Sequence, residues 1–186
     1  MKKRIVIGLS GASGAPLAIA LLRLLHNSDE YESHVVLTRG FTETLSVETE
    51  TSMEELLKLP TRIYDNSAIG SAIASGTFKT MGMIVIPCSM KTLAGIATGY
   101  SDNLLLRAAD VTIKERRKLV LVARETPLSP IHLRNMLSLS ELGVVIVPPV
   151  LSYYNKPSTV EEMTTHIVGK VLDVFQIELP GFKRWK

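Results

Sequence analysis

One cysteine, one tryptophan and an aromatic content of 5% are what this 186-residue chain has least of. A lone cysteine, Cys88, cannot close an intramolecular disulfide, so the chain lacks the cross-links that hold small secreted domains together. No segment reaches the roughly 18 consecutive apolar residues of a membrane span. The basic start, Met1-Lys2-Lys3-Arg4, leads into an apolar run too short for a secretory signal, which breaks at Gly8-Leu9-Ser10-Gly11. These absences give the expectation of a cytoplasmic protein with no membrane partner. An excess of one charge is missing too. Lys and Arg number 21 against 18 Asp and Glu, a net +3 spread along the chain, whereas a nucleic-acid binder gathers its cations on one face. No nucleic acid is expected.

What is present is a 46% hydrophobic content, enough for a core, in a length that fits one domain over 1–186. The apolar residues come in short consecutive runs at 4–9, 33–38, 83–87, 118–123 and 144–147. Amphipathic stretches separate them, read as helices over 16–26, 42–50, 53–59, 91–97, 103–116, 130–142 and 160–175. Strands apolar at consecutive positions and alternating with helices indicate a mostly parallel sheet covered on both faces. The expected fold class is α/β, doubly wound, Rossmann-like or flavodoxin-like. Such sheets bind ligands beyond the carboxyl ends of their strands, near the switch in strand order. Candidate residues should therefore follow each strand.

After the first strand comes Gly8-Leu9-Ser10-Gly11-Ala12-Ser13-Gly14-Ala15-Pro16. Small residues let backbone approach an anion, the following helix offers free N–H groups, and Ser10 and Ser13 add hydroxyls. The loop lacks the Lys of a P-loop, which argues against a nucleoside triphosphate. Leu9 stands where the first Gly of G-x-G-x-x-G would fall, and no acid follows the second strand, which disfavours NAD; Arg39 leaves NADP open. A flavin mononucleotide fits better. Pro87-Cys88-Ser89-Met90-Lys91-Thr92 brings hydroxyls and a second helix start to another strand exit, read equally well as a simple N-cap. Cys88 reads as a buried small residue. Arg107 and Lys114, seven apart, share one helix face, which a salt-bridged surface would also explain. Arg124-Glu125-Thr126-Pro127 ends the fourth run, with an Arg suited to phosphate and a Glu suited to proton transfer. His132 reads as structural. The Tyr153-Tyr154-Asn155-Lys156-Pro157 loop follows the last strand, and Trp185 near the C-terminus is expected to dock, on its own chain or a neighbour.

In order and spacing these segments resemble the flavin prenyltransferase family, of UbiX and the phenolic-acid decarboxylase partner proteins, over essentially the whole chain. The motifs are Gly8–Gly14, Pro87-Cys88-Ser89-Met90-Lys91-Thr92-Leu93, Arg107-Ala108-Ala109-Asp110, Lys114-Glu115-Arg116, Arg124-Glu125-Thr126-Pro127 and Tyr154-Asn155-Lys156-Pro157. The resemblance implies that FMN is held by Gly11, Ala12 and Ser13, by Thr38, by Ser89, Met90, Lys91 and Thr92, and by Arg124. It places dimethylallyl monophosphate against the flavin, its phosphate gripped by Lys114, Tyr154 and Lys170, with Arg107 and Glu125 reaching across a subunit boundary. Glu48, Lys114, Glu125 and Tyr154 are the implied catalytic residues. Lys170 stands where the family has Arg, keeping the charge but losing the bidentate fork.

The implied activity is transfer of a dimethylallyl group to N5 and C6 of reduced FMN, the product passing to a UbiD-type decarboxylase. The implied assembly is a homo-dodecamer with sites shared between subunits. No His/Cys/carboxylate group has metal-ligand spacing, so metal-independent chemistry is expected. Rival readings are an FMN-binding decarboxylase acting directly on an aromatic acid or peptidyl cysteine, an NADP-dependent flavin reductase, and a non-catalytic flavin carrier.

Overall fold

The computed structural model describes residues 2–179 and 181–185. In chain order the elements are β1 (Lys3–Leu9), α1 (Ala15–His26), β2 (Tyr31–Leu37), α2 (Arg39–Glu48), α3 (Met53–Leu57), β3 (Arg62–Tyr64), a 3-10 turn at Ala72–Ala74, β4 (Gly82–Cys88), α4 (Met90–Ala97), α5 (Leu104–Lys114), β5 (Lys118–Ala123), α6 (Pro130–Glu141), β6 (Val145–Ile146) and α7 (Val160–Val174). The strands form one sheet in the order β3-β2-β1-β4-β5-β6, and every neighbouring pair is parallel. Without the three-residue edge strand β3, the order is that of a flavodoxin; with it, that of a Rossmann fold. The order reverses between β1 and β4, which fixes where a crevice opens.

Successive side chains of a strand point to opposite faces, and here both faces are covered. Ile5, Ile7 and Leu9, with Ile84, Ile86, Val120 and Val122, pack under α1 and α7. Val6, Met83, Val85, Leu119 and Leu121 pack under α4 and α5. Burial on both sides is why these strands read as unbroken apolar runs.

The differences from the sequence reading have local causes. Only Tyr64 of β3 is buried, so that strand carries no apolar run. Helix α2 begins at Arg39 rather than 42 because the Thr38 side chain accepts a hydrogen bond from the Phe41 N–H at 3.3 Å. Strand β6 shortens to two residues, both only half-buried.

Candidate functional site

The loops beyond the carboxyl ends of β1, β2, β4 and β5 are stitched into one edge. Ser10 N–H bonds to the Pro87 carbonyl at 3.2 Å, Thr38 N–H to Leu9 at 2.9 Å, and Arg124 N–H to Cys88 at 3.1 Å. Ser10, fully buried, donates its hydroxyl to the Pro87 carbonyl at 3.0 Å and accepts the Ser89 N–H at 2.8 Å. It is therefore a clamp across the β1–β4 switch and not, as expected, a donor free to meet an anion. Gly11 lies against α2, and a Cβ there would come within 2.8 Å of the Gly40 backbone, closer than real side chains allow. Glycine is needed at this position because two backbone segments nearly touch.

The N-terminus of α1 holds a second correction. Its first amides are not free: the Glu48 carboxylate accepts the Gly14 N–H at 2.9 Å and the Ala15 N–H at 2.8 Å. Burial pushes the Glu48 carboxyl up. The Ser13 hydroxyl, these two amides and the Arg124 charge outweigh burial and hold it below the usual carboxylate range. Glu48 at the end of α2 is thus fixed, ionised, on the positive end of α1. A ligand anion must use other donors. Among the described residues the Gly11 and Ser13 amides, and the Met90 and Lys91 amides in the first turn of α4, meet no protein acceptor. The hydroxyls of Ser89 and Thr92 are spent largely on each other: Ser89 caps α4 by accepting the Thr92 N–H at 3.3 Å and donates to the Thr92 hydroxyl at 3.1 Å. Thr38 likewise caps α2. Four unpaired amides, the Arg124 cation and a glycine cradle suit a phosphate-bearing ligand such as FMN.

A second group lies on α7. The Tyr154 hydroxyl is 3.3 Å from His166 Nε2, and Lys170 follows His166 by one turn. Burial and the Lys170 charge both press the His166 pKa down, keeping the ring neutral. His166 Nδ1 and Asn155 Oδ1 are buried without partners. Lys170 itself is half-exposed, 3.8 Å from Asp173. The C-terminal residues fold back here: Trp185 packs edge-on against Tyr154 at 5.2 Å and Arg184 pairs with Asp173 at 2.6 Å. Trp185, expected to dock, makes only this edge contact on its own chain and stays largely exposed. The sequence reading missed His166; its spacing of four from Lys170 was the available signal.

The remaining candidates stand apart. Glu125 follows Arg124 but is exposed, accepting only the neighbouring Thr126 N–H at 3.1 Å. Arg107 is paired to Asp110 and Lys114 to Glu115, the salt-bridged face that spacing alone permits. Helix α5 runs back toward the amino ends of the strands, so Lys114 lies four residues before β5 begins. It sits beside Gly76, ahead of β4, on the opposite edge of the sheet from Gly11 and Glu48. The expectation that Lys114 joins Tyr154 at one phosphate in a single chain is not met. Cys88 is fully buried, and burial pushes its thiol far up. His132 closes the capping box of α6, its Nδ1 accepting the Ser129 N–H at 3.2 Å.

Residues 1–175 match the family model described as Flavoprotein. A probable UbiX-like flavin prenyltransferase from Sedimentibacter hydroxybenzoicus is 52% identical over 183 residues, covering 98% of this chain and 97% of that protein. The crystal structure of a dodecameric FMN-dependent UbiX-like decarboxylase from Escherichia coli O157:H7 superposes with a TM-score of 0.97 at 49% identity, covering 98% of this chain and 99% of that one. AnUbiX (PadA1), solved in complex with FMN and dimethylallyl pyrophosphate, gives the same TM-score at 43% identity, covering all of this chain and 98% of the other.

Proposed function

This chain belongs to the Flavoprotein family, among its UbiX-like flavin prenyltransferases, and on that premise we propose that it transfers a dimethylallyl group to reduced FMN. The observation that carries the reading is the carboxyl-edge cradle: unpaired amides of Gly11, Ser13, Met90 and Lys91, with Arg124, around a glycine that admits no side chain. These groups hold the flavin phosphate. Reduced FMN, when bound, supplies the nucleophilic ring that accepts the allyl group. Glu48, ionised and anchored on α1, is placed to accept a proton rather than donate one. Tyr154 and Lys170 stabilise the leaving phosphate, which departs with the electron pair of the carbon–oxygen bond. Fixed charges of this kind act without reorganising as the bond breaks. Neutral His166 orients the Tyr154 hydroxyl. Lys114, Arg107 and Glu125 act from neighbouring copies in a homo-oligomer, which we take to be a dodecamer like the E. coli O157:H7 relative.

The donor is proposed to be dimethylallyl monophosphate. AnUbiX was solved with the pyrophosphate, so both donors belong in the assay. The product would pass to a UbiD-type decarboxylase in the cytoplasm. The second reading, direct decarboxylation, is favoured by the name of the E. coli relative. Anaerobic incubation with reduced FMN and either donor, followed by mass spectrometry of the released flavin, separates the two. Gain of one C5H8 unit is the expected result. Unmodified flavin on folded, FMN-loaded protein would overturn it in favour of the decarboxylase or a carrier.

A further inference from the structure

Helix α5 ends in a turn built around one lysine. Arg116 takes a left-handed φ of 53°, where glycine is the usual residue. The Arg116 and Arg117 N–H groups close back on the Ile113 and Thr112 carbonyls, at 2.9 Å each. This reversal delivers the Arg117 side chain to the loop before β4. There it is only 13% exposed. It donates to the Gly76 carbonyl, to the Phe78 carbonyl at 2.8 Å and to the Thr80 hydroxyl at 3.5 Å. The loop is itself anchored to the sheet: the Phe78 ring packs edge-on against His34 of β2 at 5.1 Å and meets the Arg4 guanidinium of β1 at 4.8 Å. Arg117 also lies 4.0 Å from one Glu115 oxygen, while the other oxygen accepts from the Lys114 ammonium. Gly76 completes the arrangement. Its backbone is not left-handed, so room and not conformation accounts for the glycine. A Cβ there would come within 2.2 Å of Glu115 Oε1 and 3.0 Å of Lys114 Nζ.

We infer that Arg117 and Gly76 are positioning residues: acting through Glu115, they hold the Lys114 ammonium in one place for the phosphate of the allyl donor. The inference rests on the role proposed for Lys114 at that phosphate. An exposed Lys–Glu pair fixes little by itself, because holding two long side chains in one geometry costs most of what the pair gains. Here the carboxylate is held from two sides, by the Arg117 guanidinium and by the room above Gly76. Lys114 foremost, then Arg117 and Lys79, outweigh desolvation and hold the Glu115 carboxyl below the usual range, so it stays ionised and keeps its grip. A lysine stem is flexible, and ordering it at the moment of binding costs affinity that a stem ordered beforehand does not lose. The ammonium carries three donors, so one can stay on Glu115 while the others meet the phosphate. Arg117 spends its own fork on carbonyls of the chain and reaches the donor only through Lys114.

The test is the affinity of the oxidised-FMN holoenzyme for dimethylallyl monophosphate, read by titration calorimetry. Oxidised flavin is not the nucleophile, so the donor binds without reacting. Gly76→Ala and Arg117→Lys are compared with wild type, each also combined with Lys114→Ala. Neither single change alters a charge. The atoms that a Cβ at position 76 meets are the tips of two flexible side chains, so Gly76→Ala should melt as wild type does while moving the ammonium. A lysine at 117 lacks the fork that spans two carbonyls. Each single variant should bind the donor about three- to tenfold more weakly, with FMN affinity within about twofold of wild type. On the Lys114→Ala background neither should weaken binding further, because a residue that acts through Lys114 has nothing left to position. A full additional loss there would overturn the inference, and so would single variants that bind as wild type while Lys114→Ala does not. Equal binding by wild type and Lys114→Ala would remove Lys114 from the donor site, and this inference with it, while leaving prenyl transfer standing. A wild type that binds no donor would sink the proposed function and this role together. Should Arg117→Lys fail to fold, Gly76→Ala and its double variant decide alone.

Discussion

Replacing Glu48 tests the link between α2 and the start of α1. In the folded chain one carboxylate oxygen takes the Gly14 and Ala15 amides at 2.9 and 2.8 Å, and Glu48→Ala leaves both unpaired at a helix end that has no other side-chain cap. Hydrogen bonds to a charged group contribute about 1.5–3 kcal/mol each when buried. Glu48 is only part-buried, so the lower end applies and the pair is worth about 2–3 kcal/mol. At 2–4 °C per kcal/mol for a chain of this size, Glu48→Ala should melt about 4–12 °C below wild type at equal protein concentration. Glu48→Gln keeps an acceptor but loses the attraction to the helix end and to Arg124, about 1 kcal/mol, and should fall between the two. The pH dependence has a definite sign. The folded pKa is held below the ordinary value, so the carboxylate's contribution is full above the unfolded value near ~4.3. It is lost as pH falls through the lower folded value. The gap between wild type and Glu48→Ala should therefore shrink in acid to that between Gln and Ala, which stays constant, because a protonated Glu48 keeps only a neutral acceptor. Denaturant melts of the three proteins at pH 7 and pH 3 read this directly. A Glu48→Ala variant within about 0.5 kcal/mol of wild type at pH 7, the ordinary range for a surface change, would refute the reasoning.

Gly11→Ala forces the β1 loop away from Gly40 and displaces the amides proposed to hold the cofactor phosphate. FMN affinity should fall at least about tenfold, some 1.4 kcal/mol, by fluorescence titration, and wild-type affinity would remove Gly11 from the cradle. Lys170→Arg restores a bidentate fork for the donor phosphate, so KM for the dimethylallyl donor should drop roughly threefold to tenfold with little change in kcat. A raised KM would place Lys170 outside the donor site. Cys88, fully buried with its thiol pushed up, should react with iodoacetamide at least roughly a hundredfold more slowly in native protein than in urea. Comparable rates would show that the β4 exit opens readily.

Five of the six strands were legible in the sequence because the sheet is covered on both faces. Ile5, Val6 and Ile7 alternate between two cores, yet all are buried, so the run stays apolar. Strand β3 was not legible because an edge strand that buries only Tyr64 carries no such signal. The helix starts at 130 and 160 were read correctly, and the structure shows Ser129 and Thr159 capping them with their side chains. The start of α1 was also read to within one residue, 16 against Ala15, but its cap was not, since that comes from Glu48, 34 residues away.

The same distinction between local pattern and tertiary partner governs the site. Parallel topology puts every strand exit on one edge, so Gly11, Thr38, Ser89 and Arg124 could be gathered from sequence order alone. What each does there depends on its neighbours: Ser10 clamps two loops, and Ser89 and Thr38 cap helices, so the donors proposed for the anion are backbone amides that no residue type advertises. Helical periodicity fails in a further way. A seven-residue spacing sets Arg107 and Lys114 on one face of α5, but at 1.5 Å per residue it also parts them by about 10 Å along the axis. Because α5 runs back toward the amino ends of the strands, that displacement carries Lys114 to the edge beside Gly76. One chain therefore cannot bring Lys114 and Glu48 to the same ligand. If both serve one reaction, Lys114 must be delivered by another copy, and a monomeric form should keep the flavin cradle while losing the chemistry.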